Sequence, residues 1–95
     1  MENFIIKTDG SKHVIAPKNG KKFELEELQE LVGGYIQVIR LNNKDNQCMI
    51  VNENGKLYNM AHNAEASIIA HSAKAIFDCD YIVGDAVIIN YEQLD

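Results

Sequence analysis

Ninety-five residues, 46% hydrophobic and 24% charged, are enough for one packed core and too few for a second domain, so residues 1–95 read as a single domain. The same balance excludes disordered, collagen-like and coiled-coil classes. Net charge is −5, all of it in the second half: residues 1–50 carry seven bases against seven acids, and residues 51–95 carry two against seven.

A protein that grips a nucleic-acid duplex needs a basic face for its phosphates. Only Lys7 to Lys22, with five lysines, offers one, so duplex binding is not expected. Apolar runs such as Ala86-Val87-Ile88-Ile89 fall far short of the roughly 20 residues a membrane-spanning helix needs. The N-terminus lacks a basic start and a long apolar stretch, so either a secretory signal has been removed or the protein stays in the cytoplasm, the location expected here. Cys48 and Cys79 make neither a CxxC pair nor a zinc knuckle; reduced structural thiols are expected, with a single disulfide as the alternative.

Phe4-Ile5-Ile6-Lys7 reads as a first strand, and the Asp9-Gly10 turn folds His13-Val14-Ile15-Ala16 back against it. Pro17-Lys18-Asn19-Gly20 is a second turn signal. Leu25, Leu28, Leu31 and Val32 recur at helical spacing, predicting an amphipathic helix from Glu24 to Val32. Glutamates favour its first turn, Phe23 can staple onto Leu28, and Gly33 suits the left-handed exit.

Tyr35 to Leu41 is apolar on both faces, apart from Gln37 and Arg40, and is expected to be a central strand covered twice. Gln47 to Val51 and Lys56 to Met60 flank Asn54-Gly55, a strong hairpin signal, and complete a three-stranded meander. Asn63 caps a second helix from Ala64 to Phe77, with Ala66, Ile69, Ala70, Ala73, Ile76 and Phe77 facing the sheet. Tyr81 to Asn90 is a last strand, bent or bulged at Gly84, and Tyr91 to Asp95 is expected to fray. The whole is an α+β fold, an antiparallel or mixed sheet of about five to six strands with two helices, in β-β-α-β-β-β-α-β order.

His13, His62 and His71 lie in separate elements, with no second ligand at metal spacing. Ser67, His71, Lys74 and Asp78 can be drawn as a triad, but four polar residues on one helix face are ordinarily its solvated side. Asp78-Cys79-Asp80 reads as a solvated loop. Gly33-Gly34 closes a helix, whereas phosphate loops open one. Arg40, flanked by apolar neighbours in a strand, needs an anion: Asp85 is the expected structural partner, and a ligand phosphate or a partner protein's acid the functional alternative.

The segments from Leu25 to Val38, Val51 to Leu57, Asn63-Ala64 and Ile82-Val83-Gly84-Asp85, with Val32-Gly33-Gly34-Tyr35 and the last of these as the most specific pieces, resemble a family of small uncharacterised domains common in bacteriophages and mobile elements. The resemblance spans Phe4 to Ile89 and carries over no catalytic residues. It implies a viral or mobile-element accessory gene acting in the host cytoplasm, and by analogy with proteins of that size and setting a counter-defence role is expected.

These readings converge on a non-enzymatic, homo-oligomeric protein, without cofactor or metal, that binds a small anionic or nucleotide-like ligand. Tyrosine can stack on a base while an arginine takes phosphate, so the candidate ligand-binding residues are Tyr35, Arg40, Tyr58, Asn63 and Asp85. The alternative is a protein–protein module that inhibits a host protein through its acidic C-terminal half.

Overall fold

A computed structural model describes residues 2–95; Met1 lies outside them. The described residues form strands β1 (Asn3–Ile6) and β2 (Lys12–Ile15), helix α1 (Leu25–Val32), strands β3 (Ile36–Arg40) and β4 (Gln47–Asn52), helix α2 (Ala64–Ser72), strand β5 (Ala86–Asn90) and a 3-10 turn, Tyr91–Gln93. The strands make one antiparallel sheet in the order β2-β1-β5-β4-β3. This is the expected α+β class, with one strand fewer than the predicted order.

The pleat sorts the apolar residues into two cores. Ile6, Ile39, Leu41, Met49, Val51, Ala86 and Ile88 face Ala66 and Ala70 of α2, with Ile82 beside them. Ile5, Cys48, Ile50, Val87 and Ile89 face the other way, onto Phe23 and onto Leu28 and Val32 of α1. A period of two in β1, β4 and β5 therefore fills both sides of the sheet, because each side carries one helix.

The first hairpin turns at Gly10, whose φ is 90°. Helix α1 starts where Glu27 reaches back to the Glu24 N–H at 2.9 Å while also accepting from the Lys18 N–H at 2.9 Å. These two backbone donors hold the Glu27 carboxyl below its ordinary range. Gly33 ends the helix in the left-handed region, with φ 79°, as its sequence position predicts.

Four expectations are corrected. Tyr35 to Leu41 is not central: β3 is an edge strand, and β5 holds the centre, its residues Ala86 to Ile89 all buried. The predicted strand Lys56 to Met60 is a run of turns instead. Gly55 does not take the positive φ that a type I′ hairpin needs at both central residues. Asn52 Oδ1 accepts the Asn54 N–H at 2.8 Å, and i→i+3 to i→i+5 backbone bonds close the chain from Asn52 to Met60. Gly55 is buried so tightly that a Cβ there would lie 2.8 Å from Val83 Cγ2.

Helix α2 stops at Ser72, five residues short of the predicted end, where Lys74 enters the left-handed region at φ 54° and the Ala75 N–H bonds back to Ala70. Phe77, expected on the apolar stripe, is 83% exposed. Finally, Tyr91 to Asp95 does not fray. The Phe23 N–H donates to Gln93 O at 2.7 Å and Phe23 O accepts the Asp95 N–H at 3.2 Å, so the tail is tied to the entry of α1.

Both cysteines are free, but only one is interior: Cys48 is fully buried and Cys79 exposed. Burial pushes the Cys48 thiol up to about 11, against a small opposing pull from Arg40. Thiolate is the reactive form, so a thiol reagent at neutral pH is expected to modify one thiol per native chain quickly and the second only after unfolding. Two fast thiols in the native protein would contradict the packing of β4.

Candidate functional site

A groove of about 650 Å³ opens on the α2 side of the sheet, at its β3 edge. Gln37, Ile39 and Val51 supply its floor, the turns at Glu53 to Leu57 one wall, and the segment from Lys74 to Val83 the other. Those walls exist because the chain failed to make a hairpin after Asn54 and because α2 ended early. Both irregular segments pass over the part of the sheet that α2 leaves uncovered.

The chemistry of the walls is concentrated in a few side chains. Lys56 Nζ lies 4.4 Å from the Tyr81 ring centroid and pairs with Asp80. That contact, then the Tyr81 N–H at 2.8 Å, holds the Asp80 carboxyl below its ordinary range. Lys74 makes no ion pair among the described residues. Phe77 and Leu57 stand on the rim, 83% and 75% exposed. Lys56 and Lys74 are the only bases in residues 51–95, and both line the groove. That was the signal available in the sequence, two lysines in an otherwise acidic half; what brings them together is turn geometry that apolar periodicity does not record.

Of the five residues expected at the site, only Arg40 borders this groove, and its guanidinium is turned away. It stacks 3.6 Å from the Tyr91 ring centroid and donates to Asn46 Oδ1 at 2.9 Å. Arg40 is exposed rather than buried, so it needs no buried counter-charge. Asp85 pairs instead with Lys7 Nζ at 3.3 Å and accepts the Thr8 N–H at 3.2 Å; the expected Arg40–Asp85 bridge is absent. Tyr35 and Tyr58 are 68% and 63% exposed, outside the groove lining.

Asn63 is buried and structural. Its Nδ2 donates to Ile6 O at 3.0 Å and Gly84 O at 2.9 Å, and its Oδ1 accepts the Ala66 N–H at 3.1 Å, capping α2 as predicted. Ser67 and His71 are not a solvated face either. Ser67 is 6% exposed; its hydroxyl donates to Asn63 O at 2.8 Å and accepts the Ile82 N–H at 2.8 Å. His71 Nε2 contacts Asp80 O at 2.8 Å. The polar residues of α2 thus fasten the segment after the helix, which forms one wall of the groove.

No helix is long and apolar enough to cross a membrane, and no three His, Cys, Asp or Glu side chains converge on a metal position among the described residues. No curated protein and no solved structure matches the chain. A family model does match, over residues 1–94, nearly the whole length. The protein belongs to the family described as Domain of unknown function (DUF3846).

Proposed function

We propose that the domain is a non-enzymatic binding protein that takes a small anionic, nucleotide-like ligand in the groove beside β3. In this reading it is an accessory protein of the counter-defence kind carried by bacteriophages and mobile elements, acting in the host cytoplasm. The carrying observation is Lys74, a cation with no ion pair among the described residues, which lines the groove from the left-handed position at the end of α2. Glycine is the least strained residue there, so a lysine in that conformation carries a cost. Lys56 over Tyr81 and the exposed ring of Phe77 add a second cation and aromatic faces for a base. The volume falls within the range of small-molecule sites.

The test is calorimetric titration with cyclic dinucleotides and ADP-ribose-derived signals, on the wild type and Lys74→Gly. Heat with at least one of these ligands is expected. Lys74→Gly is expected to weaken that binding about tenfold, the loss of one charge-assisted contact, while its unfolding midpoint stays level or rises. Absence of heat from every ligand, or a Lys74→Gly that binds normally, counts against this reading. The second reading, an inhibitor that meets a basic host protein, is favoured by the excess of acids in residues 51–95. It predicts salt-sensitive capture of that protein and no small-molecule heat.

A further inference from the structure

The outer edge of β3 has no neighbouring strand. Glu53 N–H donates to Tyr35 O and Leu41 N–H to Gln47 O, and with Gln37 opposite Val51 and Ile39 opposite Met49, the odd-numbered residues bond inward to β4. Antiparallel strands alternate in this respect, which leaves the N–H and C=O groups of Ile36, Val38 and Arg40 pointing off the sheet. Such an edge is ordinarily blunted by a proline, a bulge or an inward lysine. Ile36-Gln37-Val38-Ile39-Arg40 has none of these, and its one charge is laid over Tyr91. The opposite edge, β2, carries Lys12, engaged by Glu65 at 3.5 Å.

We infer that two copies of the chain join antiparallel through β3, about a two-fold axis at Val38. In that register Val38 opposes Val38, and Ile36 of each copy opposes Arg40 of the other, giving three hydrogen-bonded pairs with about six backbone bonds. Charge selects this arrangement. Antiparallel pairing separates the two Arg40 residues by four positions, about 13 Å at the usual strand rise and beyond the screening length, whereas a parallel pairing sets them side by side. Val38, 38% exposed in the single chain, is the side chain that gains most. The pleat is continuous across the junction, so both grooves lie on the same face, with Gln37 of one copy opposite Ile39 of the other. The pairing stands whatever the groove holds.

Sedimentation equilibrium of the full chain from about 1 to about 200 µM is expected to show a species of twice the 10.7 kDa chain mass. Val38→Lys and Val38→Glu each place like charges across the axis and are expected to weaken association about 100-fold; mixed in equal amounts they are expected to restore a heterodimer. A wild type that is monomeric throughout overturns the proposal, as does a folded Val38→Lys that dimerises like wild type, or a mixture that does not associate. Hydrogen exchange on the wild type gives a reading independent of any variant's folding. The Ile36, Val38 and Arg40 amides are expected to lose protection on dilution, and unchanged exchange at both ends of the concentration range refutes the interface.

Discussion

Replacing Asn63 with alanine is expected to cost the domain about 3 kcal/mol, a large share of the stability of a chain this size. Three hydrogen bonds in the interior disappear together: the cap on Ala66 and the two donations to Ile6 O and Gly84 O. A cap contributes about 1 kcal/mol and each neutral bond a similar net amount. The two carbonyls also lose a donor in a region with no access to water, which makes the sum a lower bound. Because these bonds join β1, the start of α2 and the loop before β5, urea unfolding should show one cooperative transition at lower denaturant, without a separate phase. A loss below about 1 kcal/mol would mean that other contacts hold this junction.

Asn63→Asp separates the cap from the donors. The aspartate still accepts the Ala66 N–H, but when ionised it faces two carbonyl oxygens with no proton to give. Its folded-state pKa is therefore raised above the unfolded value, and the folded state binds the proton more tightly than the unfolded one. Stability of this variant is lowest above the folded pKa and recovers as pH falls through it, the reverse of an ordinary salt-bridged aspartate. Wild type lacks this recovery at position 63, so the difference between the two proteins in parallel melts across pH isolates it.

The parts that were legible in the sequence are those set by local chemistry. The Asp9-Gly10 hairpin, the Leu25 to Val32 helix with its Gly33 exit, and the Asn63 cap each depend on a few neighbouring residues, and all three stand in the structure. Strand neighbours are another matter. Tyr35 to Leu41 and Ala86 to Ile89 are both apolar on both faces, yet one is an edge and the other the centre, because the chain inserts β5 between β1 and β4. Within the strands, only Gln37 and Arg40 set the first apart from the second, which has no polar residue from Ala86 to Ile89. The Asn54-Gly55 signal failed for a similar reason: tight packing of Gly55 against Val83, about thirty residues away, overrides the local turn preference. Apolar neighbours along a strand suggest a buried Arg40, but its guanidinium reaches past the sheet to Tyr91 and stays exposed. Both walls of the groove are irregular, the turns that stand in place of a strand at Lys56 to Met60 and the stretch after the early end of α2, so apolar periodicity does not record it.

Phe23→Ala is expected to be the most damaging single core substitution near α1, at about 3–5 kcal/mol, the usual cost of removing a fully buried phenylalanine. Phe23 is 1% exposed, between Leu28 and the apolar residues of the sheet's α1 face. Its backbone is held as well, by Gln93 and Asp95, and it forms a parallel bridge with Leu94. One residue therefore joins the helix entry, the sheet and the C-terminal tail. Leu94→Ala, which trims a half-buried side chain from the same cluster, is expected to cost less, about 1–2 kcal/mol. Because the two residues pack in one cluster and share a backbone bridge, the double variant should fall short of the sum, with a coupling of about 0.5–1 kcal/mol. Chemical denaturation of the four proteins measures all of this in one cycle. Strict additivity, or a Leu94→Ala indistinguishable from wild type, would show that the tail lies on the surface without bracing α1; a measurable coupling means that Leu94 carries the tail into the α1-side core.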